Sequence, residues 1–279
     1  MRVAVVGHTE WIWFGAVDRI PGPGEIAHAT GDLEEPGGGG AVAAVQLAKL
    51  AGGCDFFTAL GDDVFGERTR ARLAELGVTV HAATRTGATR RALTLVDPAG
   101  ERTITTLGLR LAPHADDPLP WDRLADAAAV FVTAGDAGAF AHARRARTMV
   151  VTTRVLQELI STGVAADALV GSARDARERV EVGALSHSVP LIVRTEGVDG
   201  GSFTTADGVD ARYGAAVDVA VPDPGADAYG AGDSFAAGLT FALGRGAPVA
   251  DALTLAARCG AACATGAGPY TRQLTIADI

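Results

Sequence analysis

The chain has 279 residues, 48% of them hydrophobic, and a formal net charge of −9 at pH 7. That length allows one large α/β unit or two small ones, and the apolar fraction excludes a disordered chain. The acidic balance offers no basic surface for nucleic acid, and no apolar run reaches membrane-spanning length. In chain order, short apolar runs predict buried strands at Val3–Val6, Asp55–Ala59, Ala129–Thr133, Met149–Thr152, Ala168–Val170 and Leu191–Arg194. Helical patterns fall between and after them, at Gly40–Ala51, Gly66–Leu76, Arg154–Thr162, Ala231–Leu243 and Ala250–Ala264. Such alternation predicts an α/β fold with a mainly parallel sheet covered by helices on both faces.

Two segments break that rhythm. Trp11–Arg19 with Glu25–Glu34, and Thr89–Thr106, read as exposed strands of mixed polarity. Asp97-Pro98-Ala99-Gly100 suits a hairpin turn between Arg91–Val96 and Arg102–Leu107. A small accessory sheet is expected there, placed as a lid that excludes water from a site on the main sheet.

The most informative stretch is Asp227-Ala228-Tyr229-Gly230-Ala231-Gly232-Asp233-Ser234-Phe235. Small residues lead directly into a helix, whose first N–H groups lack internal partners and carry partial positive charge. That is a phosphate-binding terminus. An acidic side chain there would repel phosphate, so Asp233 reads as a base that takes a proton from an attacking hydroxyl. The plainer reading is an Asp that favours the helix dipole.

Six segments in order then carry a family resemblance. They are Val5-Val6-Gly7 through Pro21-Gly22-Pro23-Gly24-Glu25, the run Gly37-Gly38-Gly39-Gly40-Ala41, and Leu60-Gly61-Asp62-Asp63-Val64-Phe65-Gly66. Gly100-Glu101-Arg102-Thr103, Thr195-x-Gly197-x-x-Gly200 and the Asp227–Phe235 stretch complete them. Together they resemble the ribokinase-like (PfkB) family of carbohydrate and nucleoside kinases over nearly the whole chain. The resemblance implies one domain over 1–279, a ribokinase-like three-layer sandwich with lid strands from about 10–35 and 89–107. It implies ATP-dependent phosphorylation of a hydroxyl on a sugar-like or nucleoside-like metabolite. Asp233 would be the base and Gly230, Ala231 and Gly232 the anion hole. Thr195, Gly197 and Gly200 would contact ATP, with Ala257 and Gly268 near the adenine. Mg²⁺ would accompany ATP, and Asp227 is a candidate for a monovalent cation or, equally, a turn-capping carboxylate. Open lid edges imply a homodimer through the lid, and a cytoplasmic location is expected.

The substrate half departs from the family pattern. The sugar-binding Asp falls on Ile12, a polar neighbour on Glu10, and the Asn after the glycine pair on Val42. Ile12 and Val42 cannot hydrogen-bond vicinal hydroxyls, so the substrate side is expected to be held differently around Glu10, Gly37 and Gly38. Trp11 and Trp13 are candidates for a flat apolar surface or for lid packing. Ser172-Ala173-Arg174-Asp175 stands where the family often has Asn-x-x-Glu, which makes Asp175 a shorter metal-side carboxylate. A non-catalytic ligand- or nucleotide-binding regulatory protein on the same fold is the second reading. The cysteines Cys54, Cys259 and Cys263 suit packing rather than disulfides or metal. Of six histidines, His8 follows the first strand where ligands of α/β folds bind, whereas His187 and the others show no metal spacing. Arg144-Arg145-Ala146-Arg147 reads as a solvated helical face.

Overall fold

The computed structural model describes residues 1–180, 189–217, 219–223 and 225–279. A nine-stranded sheet runs through the molecule, and a separate four-stranded sheet lies beside it. The large sheet holds β1 (Val3–Val6), β4 (Cys54–Gly61), β5 (Val78–Arg85), β8 (Ala129–Val132), β9 (Thr148–Thr152), β10 (Ala168–Ser172), β11 (Leu191–Thr195), β12 (Gly201–Thr205) and β13 (Asp210–Tyr213). Its spatial order is β13-β12-β11-β10-β9-β8-β1-β4-β5. From β5 across to β11 every neighbouring pair is parallel, and β12 and β13 close the far edge in antiparallel fashion.

Side chains of successive strand residues leave on opposite faces, and β1 shows the consequence. Val3 and Val5 pack in one core with the helices α1 (Gly38–Ala51), α5 (Ala231–Gly244) and α6 (Val249–Cys263). Ala4 and Val6 pack in a second core with α3 (Ala137–Ala143) and α4 (Leu156–Thr162). Three layers result, as the strand–helix alternation predicts. The three cysteines are buried and free.

The predicted elements recur with ends shifted by one or two residues in most cases, and β6 (Arg91–Val96) and β7 (Arg102–Leu107) match residue for residue. The structure adds β5, β12, β13 and α3. In the other lid segment, β2 covers Glu10–Ala16 and β3 covers Gly31–Gly37, while residues 25–30 form no strand. The arginine run is no helical face, because α3 ends at Ala143. Arg144 instead pairs with Asp167 at 2.7 Å, Arg145 pairs with Asp122 at 2.9 Å, and Arg147 donates to the Gly244 carbonyl at 2.5 Å. Stretched apart by the turn, they stitch elements together.

The lid order is β3-β2-β6-β7. Two adjacent strands of it grow straight out of the main body: only three residues separate β1 from the inner strand β2, and the edge strand β3 runs without a break into α1. Trp11 and Trp13 pack on Phe65 of α2 (Val64–Glu75), at centroid distances of 6.2 and 5.4 Å. Ile12 and Phe14 leave on the opposite face, where Phe14 meets the Tyr229 ring edge-on at 5.1 Å. The predicted turn is formed, with Gly100 N donating to Asp97 O at 2.9 Å. Its tip rests on the other end of the chain: a Cβ at Gly100 would lie 3.0 Å from the Ala226 carbonyl oxygen.

The segment Leu60–Gly66 is a bracket for the lid. Asp63 caps α2 by accepting from Gly66 N at 2.9 Å. It also accepts from the Thr89 amide at 3.0 Å and hydroxyl at 2.7 Å, just before β6 starts. Gly66 must lack a side chain, since a Cβ would approach the Gly61 carbonyl to 2.4 Å. Removing these three bonds, the helix cap among them, predicts that Asp63→Ala loses about 2–3 kcal/mol, read as a lower urea midpoint. An unchanged midpoint would show that these bonds contribute no net stability.

Candidate active site

Because the strands from β5 to β11 are parallel, their C-terminal ends share one edge of the sheet, the usual place for ligands in open α/β sheets. His8 follows β1, Thr133 follows β8, Thr153 and Arg154 follow β9, and Ser172 and Thr195 end β10 and β11. The chain passes tightly here: a Cβ on Gly7 would stand 2.0 Å from Thr133 Oγ1.

Two glycine-rich helix N-termini meet above that edge. Gly37 precedes α1, and Gly230, with φ of 80°, precedes α5. Tyr229 ties them together, because its buried hydroxyl accepts from Gly38 N at 2.9 Å. A Cβ on Gly39 would lie 2.8 Å from Asp233 Oδ1. Only glycine lets α1 come this close to the carboxylate. The first turn of α5 closes with Ser234 N on Gly230 O at 2.8 Å, and Ala231 N makes a long bond to Ala228 O at 3.3 Å. Among the described residues the amides of Gly232 and Asp233 have no protein acceptor.

Burial pushes the Asp233 carboxyl up to about 6; Arg154 opposes the shift, Glu178 adds to it, and Arg102 and Glu10 contribute with opposite signs. That value suits a base near neutral pH, since it keeps proton affinity while leaving the group mostly ionised at pH 7.

Of the residues expected to contact nucleotide, Thr195 ends β11 beside the turn Gly197–Asp199. Gly197 and Gly200 take φ of 68° and 80°. The Arg174 guanidinium lies 3.1 Å from where a Gly197 Cβ would be. Ala257 is half-buried on α6, and Gly268 donates its amide to Asp227 Oδ2 at 2.8 Å. Asp227 is itself buried, and its other oxygen accepts from Tyr229 N at 2.7 Å. It thus pins the α5 approach to the segment after α6, as a turn-capping carboxylate does.

Glu178 and Arg154 were not singled out in the sequence. Glu178 is buried, accepts from Ser172 N at 2.7 Å and pairs with Arg154 at 2.5 Å. Asp175 pairs with the same guanidinium at 3.0 Å. Two carboxylates and an arginine therefore meet beyond the end of β10, Asp175 at the place where the family spacing points and Glu178 three residues further on. No three-residue cluster of metal-binding side chains occurs among the described residues. Mg²⁺ keeps several waters and relies on phosphates, so a site offering Asp175 and Glu178 beside an arginine fits a metal brought in on a nucleotide.

Of the residues expected to face substrate, Ile12 and Val42 have no exposed surface. Ile12 lies under Gly37, whose Cβ would come within 2.2 Å of Ile12 Cδ1, and Val42 lies under Gly230. They back the glycine turns rather than line a cavity. Glu10, buried at the start of β2, stands 3.1 Å from Arg90 Nε. Trp11 donates from Nε1 to Glu34 at 2.7 Å, and both tryptophans are committed to lid packing. His8 is held as the neutral ring, down at about 3, by burial and then by Arg110, Arg90 and Arg154, against the Thr133 backbone. His187 lies outside the described residues.

The family model for pfkB family carbohydrate kinases matches residues 1–276. The chain belongs to that family. No curated protein matches it at the sequence level. Among solved structures it is similar to a microbiome-derived acarbose kinase, at 21% identity and TM-score 0.82, covering 99% of this chain and 96% of that one. A nucleoside kinase from Methanocaldococcus jannaschii aligns with TM-score 0.74 at 17% identity, covering 99% and 96%. An Arabidopsis thaliana ribokinase complexed with ribose and ATP aligns with TM-score 0.73 at 19% identity, also covering 99% and 96%. At these identities the likeness establishes a ribokinase-like fold for this pfkB member.

The raised Asp233 pKa has a stability sign. The folded state binds this proton more tightly than the unfolded chain, whose carboxyl titrates near 3.8. Stability is therefore lost as pH rises from about 4 to about 6, and the loss is complete above that. Asp233→Asn removes the ionised group, so this pfkB chain should gain about 3 kcal/mol at pH 7 and nothing below pH 4. Thermal unfolding of both proteins at the two pH values checks this, and a pH-independent difference would contradict it.

Proposed function

We propose that this pfkB family protein transfers the γ-phosphoryl of ATP to a hydroxyl of a small sugar-like or nucleoside-like metabolite. The observation that carries this reading is the desolvated Asp233 carboxylate, set in the first turn of α5 and pressed against Gly39. Asp233 would accept the hydroxyl proton as the oxygen attacks phosphorus. The amides around Gly230, Ala231 and Gly232 would meet the developing charge, and the free donors of Gly232 and Asp233 suit that task. Phosphoryl transfer depends on position and charge more than on covalent help from the protein. A site with one base, helix-end amides and Arg154 is sufficient for it.

ATP would lie along the C-terminal edge, with its base toward Ala257 and Gly268 and its phosphates between Thr195, Gly197, Gly200 and Arg154. Mg²⁺ would neutralise phosphate charge, with Asp175 and Glu178 as the carboxylates on its side. Asp227 keeps lone pairs for a monovalent cation, although both oxygens already accept backbone amides.

Asp233→Asn should lower kcat by about 100-fold or more while nucleotide affinity changes little. In the parent enzyme kcat/KM should rise with pH through about 6, as the carboxyl loses its proton. ADP release against a metabolite panel measures both. Turnover that survives the substitution would remove Asp233 from the base role and favour a protein that binds ligands without turning them over.

A homodimer through the lid is part of this reading. Strand β7 is exposed at all six positions and has an unpaired edge, while Leu93 beside it is also exposed. Such edges are normally covered or paired. Light scattering at micromolar concentration should give twice the chain mass, and Thr105→Pro should reduce it to the chain mass. A monomer in the parent protein would contradict lid pairing.

A further inference from the structure

The last segment of the chain ties several elements together behind the glycine turns. After α6 it bends at Gly268, whose amide is held by Asp227, and then lies along α1. Tyr270 donates from its hydroxyl to Pro36 O of β3 at 2.5 Å, and Lys49 of α1 donates to the Tyr270 carbonyl. Gln46 of α1 donates to Leu274 O at 2.7 Å. Between these tethers Gln273 is buried. Its Nε2 donates to Val42 O of α1 at 3.1 Å and to Ser234 Oγ of α5 at 3.0 Å. The Val42 carbonyl can only accept, which fixes the orientation of the amide.

These two bonds join the helices one turn behind the place where the Asp233 carboxylate meets Gly39. Val42 stands one helical turn after Gly39, and Ser234 directly follows Asp233. The facing surfaces offer little else to set their register. Helix α1 opens with Gly38-Gly39-Gly40-Ala41 and α5 with Ala231-Gly232, so few side-chain ridges interlock there. Small residues let the backbones approach, whereas a directional bond fixes how far each helix slides. The Oε1 of Gln273 is buried with no donor among the described residues. A buried unpaired acceptor costs stability that an apolar side chain of equal size would not. Packing alone therefore does not account for an amide at this position.

We propose that Gln273 is a positioning residue: by bridging α1 and α5 through Val42 and Ser234, it sets the distance at which the Asp233 carboxylate meets Gly39. The proposal rests on the kinase reading only for its effect on turnover. A slide of α5 by about 1 Å would take the base off the line to the reacting hydroxyl. It would also open the apposition to water.

Three substitutions in the full chain test this. Gln273→Met keeps the volume and removes both bonds, and Ser234→Ala removes the link from the α5 side. Gln46→Met cuts a neighbouring tether of the same segment without touching α5. In Gln273→Met and Ser234→Ala kcat should fall about tenfold, with KM for ATP within about twofold of the parent. The titration midpoint of the Asp233 carboxyl, read by NMR in the free protein, should drop by about one unit from about 6. The double variant should lose no more than the worse single one, because both break the same link. Gln46→Met should move neither reading. Should Gln273→Met fail to fold, Ser234→Ala decides by the same two readings. A parental kcat and midpoint in both single variants, additive losses in the double variant, or an equal effect of Gln46→Met would each overturn the proposal. A lowered midpoint in a protein that turns over no metabolite would sink the kinase reading and leave the positioning role standing. Asp233-dependent turnover that ignores Gln273 and Ser234 would do the reverse.

Discussion

The approach of the Asp233 carboxylate to the backbone of Gly39 is the constraint on which the rest of the site depends. Two helices, α1 and α5, point their N-termini at one place, and a side chain at Gly39 would occupy the position of the carboxylate. The apposition removes water from Asp233 and raises its proton affinity. Elsewhere a carboxylate at a helix N-terminus would be stabilised in its charged form. Here burial outweighs the dipole, and the group remains a usable base. Tyr229 holds the two termini together through Gly38, and Asp227 anchors the turn to Gly268. Neither residue has to touch substrate to matter.

The same turn explains how the lid is tied to the site. Strand β3 becomes α1 at Gly37 and Gly38, and Glu10 at the start of β2 pairs in register with Gly37. Ile12 and Phe14 sit beneath this junction, with Trp11 and Trp13 clamped on Phe65 behind it. The hairpin tip reaches across to Ala226 beside Asp227. Motion of the lid therefore pulls on the glycine turn directly, without an intervening flexible linker.

Much of this was legible in the sequence because it obeys period and punctuation. Val3–Val6, with apolar residues throughout, reads as a strand buried on both faces, and Asp97-Pro98-Ala99-Gly100 has the chemistry of a turn. The Asp227–Phe235 stretch reads as a helix terminus with a carboxylate in its first turn. Strand β5 escaped because Val78–Arg85 mixes His81, Thr79 and Arg85 with apolar residues, as suits an edge strand. The short strands β12, half-buried after Gly201, and β13, at the far edge, likewise lack a continuous apolar run. Glu178 was missed because family spacing points to Asp175, and a 3-10 turn over Ala176–Glu178 brings the later carboxylate inward. Spacing along the chain says little about Arg154, which follows β9 and meets Asp175 and Glu178 only in the fold. Ile12 and Val42 were read as altered substrate contacts, and the structure places them behind the glycine turns.

The central claim is that burial between two helix ends, rather than a bound partner, makes Asp233 a base. Carbon-detected NMR of its side-chain carboxyl, assigned by comparison with Asp233→Asn, measures this in the free protein. A titration midpoint near 6 is the predicted result. A midpoint at or below 3.8 would contradict the account, because the helix termini would then stabilise the charge instead of withholding water from it.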